Sequence, residues 1–277
     1  MTNTTIADGE SLFDDLRHAA MDRVREAIRS GRYQGHTAGI GLGRLQGNLV
    51  ILPAEDALDF FRFCQRNPKP CPLVGVSDTG DPMMHTLGDD IDIRRDVPLY
   101  NIYRDGTLDR QQPDIDDVWR DDLVAFVLGC SFTFEKALMA DGIRLAHIDD
   151  NKVVAMYRTL IETQVAGPFR GPVVVSMRPM RTAEAIRASV ITARFPHAHG
   201  EPIHIGDPAA IGIRDIATPD WGDPPALDAD QVPVFWACGV TPQAAIQAAK
   251  PSLCITHAPG AMLITDVPEQ GAQAQSR

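Results

Sequence analysis

From Leu12 to Ile28 the apolar residues Leu12, Leu16, Ala20, Val24, Ala27 and Ile28 recur at intervals of three and four. That period predicts one helix over Ser11–Ser30, with Gly31 as its stop and Arg17, Arg25 and Arg29 left in water. A glycine-dense stretch follows, with Gly35, Gly39, Gly41, Gly43 and Gly47. A dinucleotide loop needs a strand before it and a helix after it. Here a helix precedes and the strand-like Asn48–Leu52 follows, so a close-packed loop is expected instead. Pro53 leads into a predicted helix over Ala54–Gln65. Asn67-Pro68-Lys69-Pro70-Cys71-Pro72 cannot be helical, because its prolines fix φ and remove donors. Leu73–Val76 then reads as a short strand.

Residues 77–115 are turn-rich and acidic, with Tyr100–Tyr103 and Thr107–Arg110 forming a hairpin through Asp105-Gly106. Trp119–Leu128 suits a helix by its Trp119, Leu123, Val127 spacing, yet Val124–Leu128 alone passes as a buried strand. Gly129 breaks that element, and a helix runs from near Ser131 to Ala140. Strands are predicted at Val153–Ile161 and Pro172–Met177, a helix capped by Thr182 to about Ala193, and a strand at Glu201–Ile205. The last third gives strand Val232–Ala237, helix Thr241–Ala249, strand Leu253–Thr256 and strand Met262–Asp266. This alternation is that of an α/β fold. Residues 143–204, ordered β-β-α-β, are expected as a smaller α+β insertion in a main domain of 1–142 plus 205–277. The tail after Pro268 reads as disordered.

Composition narrows the partners. The 277 residues carry 26 basic and 37 acidic side chains, a formal charge of −11. A chain this acidic lacks a broad phosphate-neutralising surface, which argues against nucleic acids and anionic membranes. Apolar runs such as Leu123–Leu128 fall far short of the ~20 residues of a membrane span. Met1–Glu10 is polar and acidic, unlike a secretory signal. The five cysteines include no C-x-x-C pair; a reducing cytoplasm is therefore expected, without a disulfide framework.

Three turns share one design, in which an apolar element ends in a small, polar or thiol residue and a helix or turn follows. They are Gly129-Cys130-Ser131-Phe132-Thr133-Phe134-Glu135, Trp236-Ala237-Cys238-Gly239-Val240-Thr241-Pro242 and Ile255-Thr256-His257-Ala258-Pro259-Gly260. Such turns present free N–H groups to anions, and Thr241 with Pro242 signals a helix start. The competing explanation is packing alone, since buried cysteine is usually an inert hydrophobe.

Arg158, Arg178 and Arg194 each sit where an apolar element stops. A guanidinium fork matches a carboxylate in two parallel bonds, so Arg178 and Arg158 are candidates for an anionic substrate, against the alternative of ordinary ion pairs. His197, His199, His204 and Asp207 lie close in sequence. An H-x-H pair on one strand face, with His204 and Asp207 turned round to it, would suit acid/base work or a divalent metal at His199 and His204, although the spacing matches no established ligand set. His257, beside Thr256, is a separate acid/base candidate.

Several runs together carry a resemblance: Asn48-Leu49-Val50-Ile51-Leu52-Pro53, Asn67-Pro68-Lys69-Pro70-Cys71-Pro72, Gly129-Cys130-Ser131-Phe132, Ser176-Met177-Arg178-Pro179, His199-Gly200, Pro233 to Pro242 and Ile255 to Gly260. In these the chain resembles a bacterial hydro-lyase family related to the D-glutamate cyclase domain, from about Arg25 to Asp266. The resemblance implies a three-layer α/β domain with a smaller α+β domain, and removal of water from a small carboxylate, with D-glutamate to 5-oxo-D-proline as one such reaction. His197 falls where the family pattern is loose, leaving His199 and His204 as the better pair.

On that basis Arg178 and Arg158 are expected to hold carboxylates and His199, His204 or His257 to move protons. Asp207 would orient a histidine, and the amides at Ser131 and Thr241 would cradle an oxyanion beside Cys238 and Thr256. No cofactor is required by this scheme, and the partner is a small anionic metabolite; a homo-oligomer is compatible with it. Two alternatives stand beside it: acyl transfer with Cys130 as nucleophile at a helix start, and a non-catalytic sensor or carrier of an acidic metabolite.

Overall fold

A computed structural model describes residues 12–150 and 152–268. The expectations for Met1–Glu10 and for the tail after Pro268 lie outside the described residues. The chain forms two compact units, one of 12–57, 74–128 and 250–268, the other of 58–73 and 129–249 among the described residues. The fold is α/β, with helices around two sheets. Among the described residues no helix is long and apolar enough to cross a membrane.

The first unit is built on a seven-stranded sheet. Its strands are β1 (Arg44–Pro53), β2 (Leu73–Val76), β3 (Tyr100–Arg104), β4 (Thr107–Gln112), β5 (Leu123–Gly129), β10 (Cys254–His257) and β11 (Leu263–Pro268). The order is β2-β5-β1-β10-β3-β4, with β11 also on β1. β1 pairs antiparallel with β10 and β11, and β10 antiparallel with β3. Every residue of β5 is buried, which settles the ambiguity over Trp119–Leu128. A run covered on both faces is continuously apolar and can hide a strand inside a helical spacing. Leu49, Ile51, Ala125, Val127 and Ile255 meet in its core.

The single helix expected over Ser11–Ser30 is two pieces: residues 12–17 are helical, and α1 (Met21–Arg29) starts afresh after an extended Ala20. No residue between Arg17 and Met21 breaks a helix, so the sequence carries no mark of the joint. Leu16, Val24 and Ile28 enter one cluster with Tyr33, Ile40 and Ile264.

The second unit carries β6 (Ala155–Glu162), β7 (Pro172–Arg181), β8 (His204–Ile205) and β9 (Gln231–Ala237), in the order β6-β7-β9-β8. All three pairings are antiparallel. The predicted insertion, 143–204, falls inside this longer unit, because β9 supplies the sheet's third strand and the helix before residue 143 packs on it. Helices α3 (Phe132–Ala140), α4 (Thr182–Thr192) and α5 (Val240–Ala249) follow the strands; α2 (Ala54–Arg66) spans the division between the units. Thr182 is not the cap of α4 but its first helical residue; Arg181 is the cap, and its N–H donates to Glu184 at 2.9 Å.

Side chains alternate across a strand, and β7 sorts its residues accordingly. Val175 and Met177 join Tyr157, Phe235, Ile211 and Ile213. On the other face Met180 meets Phe134, Leu138, Ala185 and Trp236, while Val174 meets Met156, Val240 and Ala244. Ser176 and Arg178 belong to this second, helix-covered face.

Candidate functional site

Arg178 is a charged residue on a face that packs helices, and only 1% of it is exposed. One guanidinium nitrogen, Nη2, donates to the Glu135 carboxylate and, at 3.1 Å, to the Ser131 hydroxyl. Nη1 donates to the Ser176 hydroxyl at 3.1 Å. The cation also lies 5.4 Å from the Phe134 ring centre and 5.5 Å from that of Trp236, within range of the attraction between a cation and a ring face. Glu135, itself buried, receives a second contact at 3.1 Å from His147 Nε2. Burial disfavours the Glu135 carboxylate, but Arg178 and His147 outweigh it and hold its pKa below the usual range.

The local sequence explains why these groups meet. Ser131, Glu135 and Leu138 stand four and three residues apart, so they share the face of α3 that packs on β7. Ser131 precedes the helix without capping it; its hydroxyl is turned to Arg178. Gly129, just before, has no room for a side chain: a Cβ there would lie 1.5 Å from the His197 carbonyl oxygen.

That backbone approach brings 197–199 against the turn. His199 is 1% exposed and adopts φ +75°, a left-handed conformation uncommon outside glycine. Its Nδ1 lies 2.9 Å from the Lys69 carbonyl oxygen. A carbonyl only accepts, so Nδ1 carries the proton and Nε2 keeps a lone pair. Burial, assisted by the Arg178 and Lys69 charges, lowers the His199 pKa to about 4. At neutral pH it is an uncharged ring with a basic nitrogen.

Cys130 and Cys238 complete the group, since both thiols feel the Arg178 charge and Cys130 also feels Cys238. Each receives backbone N–H groups at a helix start, from Phe132 and from Gly239 and Val240. The expected lowering of the Cys130 thiol pKa does not follow. Burial pushes it up to about 12 despite the helix start, which removes the thiolate that acyl transfer requires.

The structure therefore gathers Cys130, Ser131, Arg178, His199 and Cys238 in one unit, and leaves other candidates elsewhere. Arg158 is exposed, stacked 4.8 Å from the Trp221 ring centre. The H-x-H run is not on a strand: Pro196–Ala198 is a 3₁₀ turn ending at left-handed His199. His204 lies on the edge strand β8, with Nε2 2.7 Å from the Asp207 backbone oxygen. The Asp207 carboxylate accepts from the Ala209 N–H rather than orienting a histidine. Thr241 caps nothing and offers no free amide, because its N–H donates to Cys238 and its hydroxyl accepts from Val174 N–H. Among the described residues no group of three or more His, Cys, Asp or Glu side chains is placed to hold a metal.

His257 and Thr256 lie on β10 of the first unit. His257 Nδ1 faces the Leu49 backbone, 3.2 Å from its amide nitrogen and 3.4 Å from its carbonyl oxygen. Burial lowers this pKa to about 4 as well. Both histidines thus resist protonation when folded, whereas in the unfolded chain they titrate near 6.5. Between those values the unfolded state binds more protons, so stability should fall as pH drops from about 6.5 towards 4. Urea midpoints measured at neutral pH and near pH 5 should show the loss, and His199→Gln should reduce it; an unchanged midpoint would refute the assignment.

Glu135 and Ser176 lie in runs that the sequence marks, Gly129–Glu135 and Ser176–Pro179, but their type and position assign them no role. Ser176 stands two residues before Arg178 on one strand and Glu135 four after Ser131 on one helix, so both positions carried a periodic signal. His147, in the short helix Ala146–Asp149, carried none.

An α/β protein with a buried arginine–carboxylate centre and a neutral histidine is thus defined. Residues 124–266 match the family described as D-glutamate cyclase, and the chain belongs to it. A protein of Verminephrobacter eiseniae named "Putative hydro-lyase" is 59% identical over 96% of this chain and 95% of its own length. A protein of the same name from Dinoroseobacter shibae is 60% identical, covering 93% and 86%. One from Ruegeria pomeroyi is 60% identical over 93% and 94%. Among solved structures, a nitrogen repressor-like protein of Methanococcus jannaschii gives a TM-score of 0.37 at 8% identity, covering 82% of this chain and 89% of its own. A likeness that slight carries neither fold nor function.

Proposed function

We propose that this protein is a cytoplasmic hydro-lyase acting on a small carboxylate, with cyclisation of D-glutamate to 5-oxo-D-proline as the specific reaction. The observation that carries this reading is the buried Arg178, fixed by Glu135, Ser131 and Ser176, in a segment of the chain that matches the cyclase family. In cyclisation the substrate amine attacks its own side-chain carboxyl carbon, a C–N bond forms and a C–O bond breaks. Two protons leave the nitrogen and both end on the departing oxygen as water. His199 Nε2 would carry each proton only in passing, because a ring that burial holds near pKa 4 keeps a proton weakly and yields it to the departing oxygen. Arg178 would hold a carboxylate oxygen and offset the charge on the tetrahedral intermediate. For dehydration of a hydroxy acid the same base would take an α-proton instead.

Purified protein incubated with D-glutamate, L-glutamate and a panel of hydroxy acids should convert one of them with loss of water, followed by mass spectrometry. Saturable binding without product would favour a carrier. Cys130→Ala should keep turnover, because a thiol held protonated is no nucleophile; abolished turnover in a folded Cys130→Ala protein would revive acyl transfer. Arg178→Met should raise KM or abolish turnover, and it also strips Glu135 of its counter-ion, so Arg178→Lys, which retains the charge, is the cleaner variant.

A further inference from the structure

Arginine carries five N–H donors, and the bonds to Glu135, Ser131 and Ser176 use three of the four on its terminal nitrogens. Its Nε is buried and has no partner among the described residues. A side chain clamped at three points, with aromatic rings of Phe134 and Trp236 beside its plane, cannot rotate to find one. The unpaired donor is thus held at a fixed place, in a cluster that also contains the uncharged His199.

Glu135 is what fixes it. The carboxylate oxygen that accepts from Arg178 is the same one that contacts His147 Nε2. His147 lines a hollow together with Lys152, Met177, Pro179 and Asp223. Its side chain is 13% exposed against 6% for Glu135 and 1% for Arg178. The three groups form a chain of decreasing exposure, with the carboxylate in the middle.

We infer that Glu135, tethered by His147, is a positioning residue that orients Arg178 so that its Nε–H receives one carboxylate oxygen of the substrate. This rests on the proposed carboxylate site and adds to it the residues that set the geometry. Glu135 touches no substrate; it acts through Arg178. A guanidinium with a mobile plane would still attract an acid but would hold it in many orientations, which weakens binding and misplaces the reacting carbon. A tethered one presents its Nε–H in a single direction.

The test uses the full chain, with D-glutamate and 5-oxo-D-proline as calorimetric probes and steady-state kinetics on whichever acid is turned over. Glu135→Gln keeps the shape and an acceptor oxygen but removes the charge. It should weaken probe affinity and raise KM by about tenfold, with kcat changed much less. Glu135→Asp, which retains the carboxylate, should recover part of the loss; a role in stability alone would move neither KM nor affinity in a folded variant. If Glu135→Gln does not fold, His147→Gln carries the test, because it leaves the Arg178–Glu135 pair in place and should still raise KM by about threefold. A folded Glu135→Gln or His147→Gln protein with wild-type affinity and KM overturns the positioning role alone. A wild-type protein that binds neither probe and dehydrates no acid overturns the carboxylate site itself, and the positioning role with it.

Discussion

Replacing Glu135 by alanine is expected to lower folding stability by about 3–5 kcal/mol, the usual cost of leaving one member of a buried ion pair behind. Arg178 would keep its charge in a setting where 1% of it meets solvent, with only two hydroxyls and two rings for company. The pair as a whole is a different matter. Exchanging both members for apolar residues of similar volume is often close to neutral, so Glu135→Met with Arg178→Met should recover much of the loss while abolishing carboxylate binding. Urea unfolding of the two single variants and the double variant separates these contributions. A single Glu135→Ala loss below about 1 kcal/mol, typical of exposed pairs, would contradict the burial on which the site depends.

Gly129→Ala is the second large effect. The added Cβ would lie 1.5 Å from the His197 carbonyl oxygen and 2.7 Å from its carbon. Both are backbone atoms, and the Gly129 N–H is itself bound to the Pro72 carbonyl at 2.9 Å, so neither segment can yield without giving up the packing that places Ser131 and His199. The loss should exceed about 4 kcal/mol, in the range reserved for steric or network failure, and the protein should accumulate in inclusion bodies. A soluble Gly129→Ala protein with wild-type melting temperature would show that the approach of 197–199 to this turn is wrong.

Much of the fold can be read from period and punctuation. The proline run after Asn67, the hairpin at Asp105-Gly106 and the strand at Leu73–Val76 follow from backbone chemistry that no tertiary contact overrides. The break near Ala20 does not, because alanine and histidine are acceptable in a helix and nothing in residues 18–20 marks a stop. β5 was ambiguous for a related reason: burial on both faces erases the alternation that marks a strand.

The site divides in the same way. Ser131 and Cys130 are visible as polar or thiol residues at the end of an apolar element, and Arg178 as the stop of an apolar run, although β7 continues past it to Arg181. Glu135 and Ser176 sit at the right spacing to join them, but an acid on a helix normally faces water, and its inward turn follows from the arginine opposite. His204 and Asp207 show the converse. Their proximity in sequence suggested an acid/base pair, whereas the left-handed turn at His199 buries one histidine and leaves the other at a sheet edge, hydrogen-bonded to backbone. Sequence neighbours share a site only when the chain between them keeps one direction.

The most direct test of the account is dehydration itself, measured on the wild-type protein and on Arg178→Lys side by side. The wild type should release water from D-glutamate, or from another small acid of the panel, with a mass-spectrometric product, and Arg178→Lys, folded by circular dichroism, should show a much higher KM for the same acid. Turnover that is unaltered in folded Arg178→Lys would contradict the account, because the buried guanidinium would then have no part in holding the substrate.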